Sequence, residues 1–316
     1  MPTKRHKKFK KKSRKLKKKT ETKNNNKNNN KNRIQNGGNK NKLTVQLICG
    51  LGNRLFQIYA GLGFAEKWNM DFYLPNIKSQ TSTNHISIEE SYKEIKQLFP
   101  NLNILNENED MSSYVSIDEN ENENLIYNTY ENPNANAIIK GYFQTEKYFP
   151  TNPPKLQIPI PSNNILENLS NMYFIHIRLG DYVGGFMLDL INYHKYCINK
   201  INTIDPNSRY IVLSDDISGS KEYITKNLTT SVKNNILYDE STNRLDSLYY
   251  MSKCVGGIGA NSSFSWFGAY SIENKNKDVL FFPKPWFKSY PKENDVYPSW
   301  ATIVDIDSLT NDNGTK

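Results

Sequence analysis

Hydrophobic positions along this chain follow two periods in alternation. Residues 43–49 mix β-branched and apolar residues and predict a strand. From Leu55 onward, Ile58, Tyr59, Leu62 and Ala65 keep the spacing of a helix face. Residues 71–74 predict a second strand, and residues 89–99 a helix that Pro100 closes. Gly50-Leu51-Gly52-Asn53 separates the first strand from the first helix. Strand, glycine-bearing turn, helix and strand make the opening unit of a Rossmann-like domain. The acidic, Asn-rich stretch around 106–123 reads as a surface loop. Residues 137–139 form a further strand, and Pro150, Pro153, Pro154, Pro159 and Pro161 then mark a linker.

The alternation resumes beyond that linker. Strands are predicted at 173–177, 210–213, 236–238, 255–258 and 279–282, and helices at 192–204, 221–228, 245–254 and 264–270. Asn243 and the Asn261-Ser262-Ser263 run stand where helix caps belong. The pattern divides the chain into a tail (1–42), one Rossmann-like domain (43–160) and a second (161–316).

Charge changes the picture at the tail. Residues 1–42 carry 18 Lys/Arg against one acidic residue, Glu21, and are almost free of apolar side chains. Such a segment cannot bury enough surface to offset its ordering entropy, so it is expected to be disordered. It is either a solvated extension or a contact for an anionic partner such as nucleic acid or a membrane surface. The body, 43–316, is acidic, with 23 Lys/Arg against 31 Asp/Glu. No run approaches the ~20 apolar residues of a membrane span, and no signal-peptide core follows the basic start, so a soluble cytoplasmic protein is expected. Three scattered cysteines, Cys49, Cys197 and Cys254, fit core thiols better than a disulfide framework or a zinc cluster.

Candidate chemistry gathers where strands end. His176, Arg178 and Asp181 follow the apolar run of the 173–177 strand. Open α/β sheets bind ligands outside the carboxyl ends of their strands, and a guanidinium fork there suits phosphate oxygens. A structural ion pair at a strand end is the competing reading. Asp215 and Asp216 follow the 210–213 strand and could bind a divalent ion or accept from the N–H groups of a purine. Ser262 and Ser263 could cap a helix or donate to a diphosphate. Gly52 would let the backbone approach a ligand, and Asn53 and Arg54 could present an amide and a charge beside it; a simple tight turn is the alternative. The turn lacks the third glycine of a dinucleotide fingerprint and the Lys-Ser/Thr of a P-loop. Only four arginines occur in the body, Arg54, Arg178, Arg209 and Arg244, and two of them sit in these turns. Asp305-Ile306-Asp307 has no evident partner and reads as structural.

Taken together, the segments resemble the family 11 glycosyltransferases, the α-1,2-fucosyltransferases. Gly50 to Gln57 is similar to that family's GLGNQLFQ loop, and Gly141 to Phe149 to its GYFQSEKYF segment. His176 to Tyr182 resembles HxRRGDY, Ser214-Asp215-Asp216 its SDD, and Asn261 to Ala269 its NSSFSWWGA. The resemblance covers roughly residues 45–290 and implies a GT-B fold, two Rossmann-like domains facing across a cleft. It implies GDP-fucose as donor, a galactose-containing glycan as acceptor, inversion at the anomeric carbon, and neither metal nor cofactor. Arg178 would neutralise the departing diphosphate. His176 and one of Asp215 and Asp216 would meet the guanosine, Ser262 and Ser263 the phosphate oxygens, and Asn261 would also contact the donor. The turn carrying Gly52, Asn53 and Arg54 would reach toward donor or acceptor. Asp181 is a candidate general base. Two departures stand out: Leu179 replaces the second arginine of HxRRGDY, and Arg54 replaces the glutamine of GLGNQ. Arg54 is therefore expected to return the missing charge from the opposite wall of the cleft.

Overall fold

The computed structural model describes residues 40–77, 87–119, 125–162, 169–180, 188–232, 236–241, 243–288 and 294–310. The expectations for residues 1–39, and for Asp181 and Tyr182, lie outside these. Two parallel sheets follow, as the GT-B expectation requires. The first contains β1 (Lys42–Val45), β2 (Asp71–Phe72), β3 (Val115–Asp118) and β4 (Ala137–Lys140) in the order β2-β1-β4-β3. The second contains β5 (Met172–Ile177), β6 (Arg209–Ser214), β7 (Ile236–Tyr238), β8 (Gly256–Ile258), β9 (Leu280–Lys284) and β10 (Thr302–Asp305) in the order β10-β9-β8-β5-β6-β7. The chain leaves one sheet at β4 and enters the other at β5, with the proline-rich segment between.

Helices supply the crossovers. The first half holds α1 (Leu51–Trp68) and α2 (Ile88–Leu98). The second holds α3 (Ile191–Ile204), α4 (Ile217–Asn227), α5 (Thr229–Val232), α6 (Arg244–Lys253), α7 (Ser263–Tyr270) and α8 (Ile306–Thr310). All six residues of β5 are buried, the continuous apolar run required of a strand covered on both faces.

Three expectations are corrected. The first helix begins at Leu51, not Leu55, so Gly52, Asn53 and Arg54 belong to its first turn rather than to the loop. β3 lies inside the stretch read as a surface loop; as an edge strand with a mostly exposed face, it lacks the apolar alternation that would betray it. The helix after β6 starts four residues earlier than its apolar spacing predicts, because Asp216 caps it.

The described residues form one compact unit, and its apolar core runs on from one sheet to the other. The junction is aromatic. Phe56 of α1 lies with its ring centroid 4.7 Å from Trp266 and 4.8 Å from Phe267 of α7. Tyr59 stacks on Phe149 and Phe267 at 4.8 and 5.6 Å. Thirteen of the 18 residues of α1 are buried, because the helix has the first sheet on one side and α7 on the other. A separate core cluster, containing Tyr193, Ile198 and Ile224, fills the outer face of the second sheet under α3 and α4. Among the described residues no helix is long and apolar enough to cross a membrane.

Candidate active site

Each sheet has one point where the chain reverses its direction of growth. In the second sheet the chain starts at β5, adds β6 and β7 on one side, then returns to place β8 on the other. In the first, β2 and β4 flank β1 in the same way. Crevices outside the carboxyl ends at such switch points are where open α/β sheets take ligands. The turns there are Arg178–Gly180 after β5 and Asn261–Ser263 after β8, with the start of α1 after β1 and Gly141–Gln144 after β4.

These turns meet. Asn53 Oδ1 accepts hydrogen bonds from Gln144 Nε2 at 2.6 Å and from Ser263 Oγ at 2.7 Å. One amide oxygen thus joins three of the motifs and both halves. Gly52 makes the approach possible. A Cβ at that position would stand 2.4 Å from Phe264 N and from the carbonyl carbon of Ser263, so the starts of α1 and α7 touch backbone to backbone.

The turn after β5 is built around Asp215. Leu179 N and Gly180 N donate to its two carboxylate oxygens at 2.9 Å each, and Arg178 Nε lies 3.3 Å from Oδ2. The side chains of Arg178 and Asp215 remain 21% and 20% exposed, so the guanidinium is held in place yet open to a ligand. A Cβ on Gly180 would come within 2.5 Å of Asp215 Oδ2, which explains the glycine. A cavity of about 710 Å³ opens beside Arg178, walled by Leu179, Leu190, His194, Tyr223 and Lys288. Ligand pockets fall roughly within 300–1,000 Å³. A second cavity, of about 730 Å³, lies at the opposite edge of the sheet, against Pro153, Pro154, Lys253 and Lys275 near the carboxyl ends of α6 and α7. Its lysines sit where helix dipoles favour cations.

Several expected ligand contacts turn out to be internal ones. Arg54 is 1% exposed and does not reach the crevice. Its Nε donates to Cys49 O at 2.9 Å, and burial, with the nearby charge of Arg244, pulls its pKa down to about 10. It therefore does not stand in for the arginine missing at Leu179. His176 is 2% exposed, with its ring 5.9 Å from that of Phe264, and burial next to Arg178 brings it to about 3. The imidazole is therefore buried rather than turned toward a nucleoside. Asp216 Oδ1 caps α4 by accepting from Gly219 N at 2.9 Å, and Asp215 holds the turn after β5, so both exposed carboxylates already have structural duties. Asn261 is buried and donates from Nδ2 to Trp286 O at 2.9 Å. Ser262 is buried and caps α7 through Phe264 N at 3.3 Å. Ser263 and Asn53 are half-buried at the meeting of the halves.

Sequence reasoning passed over two residues. Gln144 stood in a motif without a role. Glu119, one acid among many in a stretch read as loop, is 6% exposed and accepts from Tyr142 N and Phe143 N. Nothing local in the sequence separates it from its neighbours. The motif around Gln144 also welds the halves. Glu146 accepts from Trp300 Nε1 at 3.0 Å, and Lys147 pairs with Asp295 at 2.6 Å.

The chain is 27% identical over 273 residues to an alpha-1,2-colitosyltransferase of Escherichia coli, covering 78% of this chain and 92% of that one. It is 29% identical over 148 residues to the O-antigen biosynthesis glycosyltransferase WbnK of Escherichia coli, covering 44% and 46%. Among solved structures, fucosyltransferase NodZ from Bradyrhizobium superposes with a TM-score of 0.45 at 10% identity, covering 72% of this chain and 92% of that one. The description of glycosyl transferase family 11 matches residues 9–303, a span that takes in all five motifs and every turn at the two switch points, and it is to that family that this chain belongs.

Proposed function

We propose that this glycosyltransferase moves L-fucose from GDP-fucose to the 2-hydroxyl of a galactose unit in a glycan, with inversion and without a metal ion. One observation carries the reading: Arg178 is fixed by Asp215 at a switch point, beside a cavity of ligand size. As the bond between the anomeric carbon and the diphosphate oxygen breaks, negative charge grows on the leaving group. A preorganised guanidinium stabilises that charge more in the transition state than in the ground state. The acceptor oxygen forms the new bond from the opposite face and gives its proton to a base. Asp181, outside the described residues, is the candidate for that base.

A second donor is favoured by the colitosyltransferase, whose match covers 92% of its length. Colitose is fucose without its 3-hydroxyl, so the two readings differ by one oxygen on the donor. A screen of the full chain with GDP-fucose, GDP-colitose and UDP- and ADP-sugars, on a galactose-terminated acceptor, tests both. Transfer is expected from a GDP-6-deoxysugar, with an α-1,2 linkage in the product. Preference for UDP or ADP donors would refute the reading.

A further inference from the structure

We infer that Glu119 is a positioning residue for sugar transfer, acting through Gln144 and Asn53 on the start of α7. The functional part of this inference rests on the reading above.

Glu119 directly follows β3, and its own N–H still donates to Lys140 O at 2.8 Å, continuing the ladder to β4. Its carboxylate lies under the turn that leaves β4. Tyr142 N donates to Oε2 at 2.5 Å, and Phe143 N is 3.0 Å from both oxygens. Two successive amides converging on one carboxylate form a concave anion site that the chain fills itself. The turn has an unusual backbone and needs such a hold. Phe143 has φ 50°, a left-handed conformation that a non-glycine residue adopts only when its surroundings enforce it. Gly141 has φ 145°, and a Cβ there would stand 2.3 Å from Glu119 Cβ, so the acid and the turn fit only with glycine.

The next residue is Gln144, 7% exposed, whose side chain donates to Asn53 Oδ1 at 2.6 Å. The same oxygen receives Ser263 Oγ, on the first residue of α7. The direction of Gln144 follows from the backbone that Glu119 fixes. A shift there passes through two hydrogen bonds to the helix start beside β5. Glu119 is buried, with its carboxylate on the amides of the turn, so its effect on the reaction is through geometry.

The test uses the full chain with Glu119→Gln, which keeps the shape and removes one acceptor, and Glu119→Asp, which keeps the charge. Turnover, GDP affinity by calorimetry, melting temperature and amide exchange are read on the same samples. Expected is a fall in kcat of roughly 10–100-fold for Glu119→Gln, the scale of a misplaced reacting group. GDP affinity should stay near wild type, and Glu119→Asp should recover part of the rate. Exchange should accelerate at residues 141–145 and also at 262–265. The exchange readout needs no turnover. If wild type transfers no sugar but the acceleration still reaches 262–265, the positioning stands and only the assignment of the reaction falls. Acceleration confined to 141–145, or a kcat equal to wild type, would overturn the inference, as would rates that merely follow melting temperature across both variants. If Glu119→Gln does not fold, Gln144→Leu removes only the outgoing hydrogen bond, and unchanged kcat and exchange at 262–265 in that variant would also overturn it.

Discussion

Asn53 and Ser263, 210 positions apart in the chain, are joined by a hydrogen bond of 2.7 Å. It ties the first turn of α1 to the first turn of α7, and therefore the switch point of one sheet to that of the other. The bond depends on its neighbour Gly52, which has no side chain to hold the helices apart.

Gly52→Ala tests that dependence. The added Cβ would lie 2.4 Å from backbone atoms of Ser263 and Phe264, and backbone has little freedom to give way. Overpacking of this kind costs roughly 1–3 kcal/mol. A lower melting temperature is expected, with a larger proportional loss of turnover, since the helix starts separate where the ligand edges meet. Thermal melts and initial rates on one preparation check both parts. A variant melting and turning over like wild type would show that the helices separate without cost.

Asp215→Asn addresses the turn after β5. The carboxylate serves Leu179 N, Gly180 N and Arg178 together. An amide has one acceptor oxygen, so at least one of the three partners is lost, and its NH₂ would face a donor. Hydrogen bonds to charged groups contribute about 1.5–3 kcal/mol each. The turn is partly exposed, so solvent replaces much of the lost contact and the melting temperature should fall by only a few degrees. GDP binding should weaken by about tenfold or more, the factor that 1.4 kcal/mol represents. Calorimetric titration with GDP gives the answer directly. An affinity unchanged in Asp215→Asn would mean that Arg178 needs no partner to be in place.

The contrast between these two sites shows how far the sequence could be read. The strands of the second sheet were visible because the central residues of β5 and β6 are covered on both faces and are therefore mostly apolar. The turns at their ends were visible because arginine is rare in a lysine-rich body. What each polar side chain does there was not visible. Asp216 and Ser262 have the composition of ligand contacts, but each caps the helix it precedes, and capping uses the same residue types. Arg54 lay within a ligand-like motif, but its direction is set by the face of α1 it occupies, once that helix starts four residues earlier than its apolar spacing implies. β3 and Glu119 were hidden because an exposed edge strand carries no apolar period.

Acid should weaken the fold through two histidines. His176 and His194 are buried and neutral, each brought from 6.5 to about 3 chiefly by burial. In the unfolded chain each takes up a proton as pH falls through 6.5, while the folded protein does not until about 3. Their contribution is complete above pH 6.5 and is lost below it, at up to about 1.4 kcal/mol per pH unit for each. Burial raises the carboxyls of Glu94 and Glu119, which opposes the loss at lower pH, because a raised acid favours the folded state once protonated. The melting temperature should therefore drop between pH 6.5 and 5. His194→Gln, which removes one of the two imidazoles, should roughly halve that slope. A flat profile across this range in wild type would contradict the assignment of two neutral buried imidazoles.

Glu94 and Arg54 should respond to mutation in opposite ways. Glu94 is 8% exposed and holds Arg244 in a two-point contact, Nη2 to Oε2 at 2.6 Å and Nε to Oε1 at 3.2 Å. Arg54, also near Glu94, has both Nη atoms buried without a hydrogen-bond partner. One carboxylate thus offsets two guanidiniums, one of them poorly satisfied. Glu94→Gln removes the compensating charge; Arg244, with 27% of its side chain exposed, keeps access to water, so the cost should fall below the roughly 3–5 kcal/mol of a fully buried pair. Arg54→Gln removes the charge that is hardest to accommodate and keeps a group able to donate to Cys49 O. Its melting temperature should equal or exceed that of wild type, because replacing a poorly paired buried ion is often neutral or stabilising by about 1–4 kcal/mol. Turnover should be retained, since the guanidinium does not face the crevice. Parallel melts and initial rates of the two variants decide the matter. A sharp loss of rate in a stable Arg54→Gln protein would return that arginine to the reaction and would mean that α1 turns its first residues outward when donor binds.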